Sequence, residues 1–144
     1  MRTRAIYGCA GPELTPDERR FFREAKPWGF IVFGRNIVDR DQLRTLVVSL
    51  RECVDDENAP VLIDQEGGRV ARLRPPHWRE RPSAARLGVL HGTSPELARE
   101  AAYLNARLMA KDLAELGITV DCAPVLDVPV EGADAIIGDR KSVV

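Results

Sequence analysis

Two short segments of this 144-residue chain are apolar at every position instead of at every second one: Phe30-Ile31-Val32-Phe33 and Pro60-Val61-Leu62-Ile63. A strand with one wet face alternates polar and apolar side chains, whereas a strand of a parallel sheet is covered on both faces. The two segments therefore predict buried parallel strands, and parallel neighbours need a crossover between them, usually a helix. The intervening sequence supplies it. Asp39 is placed to cap a helix, with Gln42 at the reciprocal position. Leu43, Leu46, Val47, Leu50 and Val54 then follow the i, i+3, i+4, i+7, i+11 spacing of one apolar stripe.

The alternation extends in both directions. Residues 5–10 form an apolar run closed by Gly11-Pro12, a first strand. In Thr15-Pro16-Asp17-Glu18 the Thr hydroxyl can cap a helix, Pro suits its first turn and Glu18 completes a capping box. That helix must stop near Lys26, because Pro27 disfavours helical geometry in the residue before it. After the third strand and a polar, proline-rich excursion, Ser94-Pro95-Glu96 starts another helix. Leu97, Ala101, Leu104 and Leu108 line one side of it, and Gly117 suits a left-handed cap. Residues 118–123 read as a fourth strand, and 131–144 carry neither pattern. The order β-α-β-α-β-loop-α-β predicts a single α/β domain over 1–144 with a parallel sheet.

Composition removes several classes of function. Lys+Arg total 21 against 22 Asp+Glu, for a net charge of −1, so nucleic acid is excluded as the main partner. Cys9, Cys53 and Cys122 are an odd set without a C-x-x-C pair, which predicts neither a disulfide framework nor a zinc site and favours a reducing compartment. No apolar run approaches the roughly 18–20 residues of a membrane span. The basic start Met1-Arg2-Thr3-Arg4 is followed by too short an apolar stretch for a signal peptide. The expectation is a cytoplasmic chain without a membrane partner.

The densest polar cluster, Asp64-Gln65-Glu66-Gly67-Gly68-Arg69-Val70-Ala71-Arg72, comes directly after the third strand. In parallel α/β folds ligands bind outside the carboxyl ends of the strands, where Asp64 would sit. The two glycines let the backbone turn and approach a ligand closely. Arg69 and Arg72, three apart, can point the same way in a turn. A carboxylate beside guanidinium groups suits a polyhydroxylated ligand, since the acid accepts from hydroxyls and arginine donates a fork of N–H groups. A capped turn with a structural ion pair fits these residues equally well.

The other chemical residues favour bland roles. His77 and His91 show no metal-ligand spacing, and His77 in Pro75-Pro76-His77-Trp78 is expected to pack on Trp78. Asp121 and Asp127 read as turn or cap formers. Asp64 and Glu66 would share a face only if the strand ran on through Glu66, against the glycines. Gly67-Gly68 lacks the lysine of a phosphate loop. Cys9 and Cys122 read as small buried apolar groups, and Trp28 as a core or rim residue.

Val61-Leu62-Ile63-Asp64-Gln65-Glu66-Gly67-Gly68-Arg69-Val70 resembles the signature after the third strand of family 3 glycoside hydrolases, most of all their bacterial cytoplasmic β-N-acetylhexosaminidases of muropeptide recycling. Gly29-Phe30-Ile31-Val32-Phe33-Gly34-Arg35-Asn36, Ala123-Pro124-Val125-Leu126-Asp127-Val128 and Ile137-Gly138-Asp139-Arg140 resemble three further segments of that family, in the same order. The resemblance covers about residues 5–140. It implies the N-terminal half, about four β/α units, of a (β/α)₈ TIM barrel. It further implies removal of terminal β-linked N-acetylglucosamine with retention of configuration. Asp64, Arg72 and Arg140 match the residues that hold hydroxyls of the terminal sugar. No metal or organic cofactor is implied. The nucleophilic Asp and the acid/base His belong to later segments of the family pattern, so no catalytic residue is expected within this chain. Lys141-Ser142-Val143-Val144 departs from the Ser-aromatic-Gly that follows Gly-Asp-Arg in the family, as a truncated or frameshifted gene product, or a fragment, would. A family 3 β-glucosidase or xylosidase fragment is the alternative enzyme reading. A non-catalytic half barrel that binds sugar weakly or only serves assembly is the alternative outside catalysis, with self-association expected through its open strand edges.

Overall fold

The strand-helix alternation predicted by the apolar runs is realised. The computed structural model describes residues 2–127, 132 and 137–140, so the departing segment 141–144 and most of 131–144 lie outside the described residues. The chain divides into two compact units, Met1–Ile63 with Asp112–Asp121, and Asp64–Lys111 with Cys122–Val144.

The first unit holds β1 (Thr3–Tyr7), α1 (Pro16–Ala25), β2 (Pro27–Val32), α2 (Arg40–Glu52), β3 (Val61–Ile63) and β4 (Val120–Asp121). All three strand pairings are parallel and the order is β1-β2-β3-β4. A doubly wound sheet reverses its strand order partway, whereas a β/α barrel adds each strand beside the last. Sequential order makes this sheet part of a barrel, as expected.

The α1 start forms the full capping box: Glu18 N–H donates to Thr15 Oγ1 at 3.1 Å and Thr15 N–H to Glu18 Oε2 at 2.9 Å. On α2, Asp39 caps Gln42 N–H at 2.9 Å, while the Gln42 side chain accepts from Val38 N–H. Leu43, Leu46, Val47 and Leu50 are all buried, as their spacing predicts, and Val54 is half-buried. Phe22 meets Phe30 edge-on at 5.2 Å between ring centres. Asn36 is fully buried and donates to the carbonyls of Cys9 and Gly11, tying the loop after β1 to the end of β2.

Strand limits differ from the expectation at both edges. β1 begins at Thr3 instead of Ala5, because its pairing starts where Thr3 N–H donates to Lys26 carbonyl at 2.9 Å, opposite the first residue of β2. β4 is two residues long because β3 ends at Ile63, which pairs with Asp121 and leaves no partner further on. Cys122 therefore falls outside the strand and is exposed, against the expectation of a buried thiol; Cys9 and Cys53 are buried.

Burial raises the Cys9 thiol to about 11; the nearby Glu18 carboxylate adds to the rise and Arg35 opposes it. Burial likewise pushes Cys53 up. A thiol is unreactive until ionised. At pH 8 Cys122 alone is expected to react rapidly with an aryl disulfide in the native chain, and all three thiols once it is unfolded. The stability held by neutral Cys9 is fully present below about pH 9 and is lost as pH rises to about 11, because the unfolded chain ionises first. Denaturation midpoints across that range measure the loss.

The second unit contains α3 (Ala84–Thr93) and most of α4 (Pro95–Ala114). The first was not anticipated. Gly88 and Gly92 weaken its helical signal, and its apolar residues do not gather on one face. In α4 the predicted apolar side is only partly covered: Leu97, Leu104 and Leu108 are 58, 48 and 49% exposed, while Ala101 is half-buried. Ala98, one residue on from that side, is buried, and Ala102, Asn105 and Met109 are half-buried like Ala101. The helix ends as predicted, with Gly117 at φ +77° and Ile118 N–H bonded to Leu113 carbonyl. No helix among the described residues is long and apolar enough to cross a membrane.

Candidate functional site

The backbone after Ile63 turns back on itself at once: Glu66 N–H donates to Val70 carbonyl at 2.9 Å, and Gly67 bridges Val70. Gly67 sits at φ +89°, and a Cβ there would stand 2.2 Å from Pro82 carbonyl oxygen. No other residue fits that position. Gly68, at φ +58°, donates its N–H to Arg81 carbonyl at 2.9 Å. Asp64 and Glu66 thus do not continue a strand, as the glycines foretold.

Gln65 is the brace of this turn. Its side chain is 4% exposed, and its Oε1 accepts from the N–H groups of Arg72 and Leu73 at 2.8 and 2.9 Å. Its Nε2 donates to Leu73 carbonyl at 3.2 Å. An amide that bonds three backbone groups of one dipeptide fixes the returning strand of the turn, and with it the root of the Arg72 side chain.

From that root Arg72 Nη2 donates to Asp64 Oδ2 at 2.8 Å. Each side chain is about a quarter exposed, and Asp64 Oδ1 takes no hydrogen bond from a described residue. Arg140, in the 3₁₀ turn Gly138–Arg140, is held by a second carboxylate. Its Nε and Nη2 donate to Glu66 Oε2 and Oε1 at 2.9 and 2.7 Å, a two-pronged pair in which the Glu66 side chain is 7% exposed. The hydrogen bonds that Arg140 donates to Glu66 raise its guanidinium further above its usual range, desolvation opposes this, and the charges of Glu66, Asp64 and Asp127 reinforce it. Arg140 is therefore a permanent cation oriented by Glu66.

Asp64 and Arg72 are brought together as a pair. Arg140 joins the same unit through Glu66, with Asp64 close enough to act on its charge. Arg69 does not point with Arg72. It donates instead to Asp139 Oδ1 at 2.9 Å and Ile137 carbonyl at 3.0 Å, anchoring the 3₁₀ turn that carries Arg140. His77 stacks edge-on against Trp78 at 5.7 Å, as expected. Among the described residues no group of His, Cys, Asp and Glu could hold a metal ion. Sequence reasoning missed Gln65, Glu66 and Asp139. Their side chains act on partners up to 74 positions away, and no local pattern marks them.

Chemically, the arrangement offers a fixed carboxylate with one oxygen open and two guanidinium groups already oriented. That set accepts from and donates to adjacent hydroxyls without reorganising.

The description "Glycosyl hydrolase family 3 N terminal domain" matches residues 16–141. The "Beta-hexosaminidase" of Methylococcus capsulatus is 37% identical over 135 residues, covering 94% of this chain and 38% of that protein. Among solved structures, NagZ from Neisseria gonorrhoeae in complex with zinc ion superposes with a TM-score of 0.90 at 28% identity, over 99% of this chain and 42% of that one. The same protein in complex with N-trifluoroacetyl-D-glucosamine gives 0.88 at 29% identity, over 96% and 41%. The chain spans about two fifths of the length of these relatives.

Proposed function

Because the chain belongs to glycosyl hydrolase family 3, through that family's N-terminal domain, we propose that it supplies one wall of the sugar pocket of a β-N-acetylhexosaminidase. Asp64 accepts from hydroxyls of a terminal N-acetylglucosamine, and Arg72 and Arg140 donate to it. The observation that carries this reading is the built geometry: Asp64 held by Arg72, and Arg140 held by the buried Glu66. A neighbour solved with an N-acetylated glucosamine analogue supports the same sugar class.

Cleavage with retention needs a nucleophile and an acid/base on opposite sides of the glycosidic bond. The family resemblance puts both in segments beyond Val144, so the role of this chain is to bind and orient. Muropeptide fragments are the natural substrate class in this reading, with the cytoplasm as its compartment. The outer edges of β1 and β4 pair with no strand among the described residues. They support addition of further barrel strands or self-association.

The test is a chimera in which this chain replaces the matching segment of the Methylococcus capsulatus protein. Its kcat/KM for an aryl N-acetyl-β-glucosaminide is expected to exceed that for the aryl β-glucoside by about a hundredfold or more, the discrimination of a site built for a specific polar group. A preference for the glucoside or xyloside would move the assignment to the other branch of the family.

A further inference from the structure

Arg140 stands on a short turn, Gly138–Arg140, closed by its own N–H to the Ile137 carbonyl at 3.1 Å. A 3₁₀ turn of three residues has poor hydrogen-bond geometry and does not hold itself, so its place is set by what it docks on. It docks on the glycine turn. Arg69 Nε donates to Asp139 Oδ1 at 2.9 Å, and Arg69 Nη2 donates at 3.0 Å to the Ile137 carbonyl, the same oxygen that closes the turn. Both segments are glycine where they press together. A Cβ on Gly68 would lie 3.2 Å from Asp139 Oδ2, and one on Gly138, at φ +52°, would lie 3.3 Å from Arg69 Nη2. Asp139 thus lies against both Gly68 and Arg69, directly before Arg140 in the chain.

The side chains of Arg69 and Asp139 are 52 and 41% exposed. Exposed ion pairs add little to global stability, so this one is poorly placed to hold the fold together. Its leverage is local: it joins residues 70 apart and fixes the position next to Arg140. Glu66 then sets the angle of the Arg140 guanidinium by taking Nε and Nη2, while Nη1 donates to no described residue. A two-pronged grip of this kind works only when the backbone that carries the arginine stands at the right distance from the carboxylate. A displacement of about 1 Å in a positioning group is enough to spoil a site.

We propose that Arg69 and Asp139 are positioning residues of the sugar site: they touch no sugar, and they act by holding Arg140 where Glu66 can orient it. This role rests on the reading of Arg140 as a sugar ligand. Arg72 does not share the dependence, since its root is fixed by Gln65.

The test takes two measurements on the full 144-residue chain. The first needs no sugar: hydrogen exchange of the Arg140 Nε–H group, followed by its ¹H–¹⁵N signal. Arg69→Gln and Asp139→Asn are each expected to speed that exchange about fivefold, and the double variant no more than either alone. The unfolding midpoint and the Arg72 Nε–H signal should hold, whereas a pair that merely supports the fold would move both. The second is a titration with N-acetylglucosamine. Arg140→Gln is expected to weaken affinity about tenfold, as loss of a charged donor does. Arg69→Gln should weaken it about fivefold in the parent chain and leave it unchanged in the Arg140→Gln chain, because it acts through Arg140. Unchanged Arg140 exchange in both variants, or an Arg69→Gln effect that persists without Arg140, overturns the positioning role alone. If the parent chain binds no N-acetylglucosamine, or Arg140→Gln binds it as tightly, the sugar reading of Arg140 fails and the positioning role with it.

Discussion

Asp64→Asn in the chimera is expected to lower kcat/KM for the aryl N-acetyl-β-glucosaminide about a thousandfold, with kcat falling as well as KM rising. Asparagine keeps the shape of the side chain but removes its charge and one of its two acceptor oxygens. Hydrogen bonds to sugar hydroxyls strengthen as the ring distorts towards the transition state, which is worth several kcal/mol, so the loss falls on kcat. Arg72 compounds it, because its guanidinium is left beside a neutral partner that no longer fixes its orientation. An unchanged kcat with a raised KM would mean that Asp64 contributes only uniform binding. Unchanged kinetics would remove it from the site.

Gly67→Ala is expected to cost more than any other single methyl group in the turn. Its φ of +89° is strained for an L-residue, by roughly 1–2 kcal/mol. The new Cβ would also stand 2.2 Å from Pro82 carbonyl oxygen, and a backbone atom cannot rotate away. The turn must open, taking Gln65 and the Arg72 root with it, so the chimera should lose turnover even where it still unfolds cooperatively. Gly92→Ala is the contrast. Nothing lies within 4 Å of the added atom and the site is helical, so the denaturation midpoint should hold or rise. Equal behaviour of the two variants would contradict the account of the turn.

Local chemistry carried much of the fold into the sequence. The Thr15–Glu18 capping box, the α2 stripe and the fully apolar β2 and β3 each depend on residues within a few positions of one another, and all were legible. The limits of β1 and β4 were not, because they depend on where a neighbouring strand starts and stops. α3 escaped notice because two glycines and a scattered apolar pattern hide a helix whose support is tertiary. The α4 helix and its end at Gly117 were legible, but which of its side chains are covered was not: Leu97, Leu104 and Leu108 are exposed while Ala98 is buried.

In the site, Asp64 was visible through its place after a buried strand, and Gly67-Gly68 through the turn it demands. The orientation of Arg72 was not: three-residue spacing suggested that it pairs in direction with Arg69, and the tight turn separates them. The buried Glu66 grip on Arg140 joins residues 74 apart, a contact only the folded chain contains.

The most direct test of the central claim is steady-state hydrolysis of an aryl N-acetyl-β-glucosaminide by the chimera, with cooperative unfolding as proof that it has folded. A chain that supplies one wall of this sugar pocket should return turnover within about tenfold of the parent, the scale at which displaced positioning groups begin to be felt. A folded chimera that binds no N-acetylglucosamine and hydrolyses nothing would contradict it.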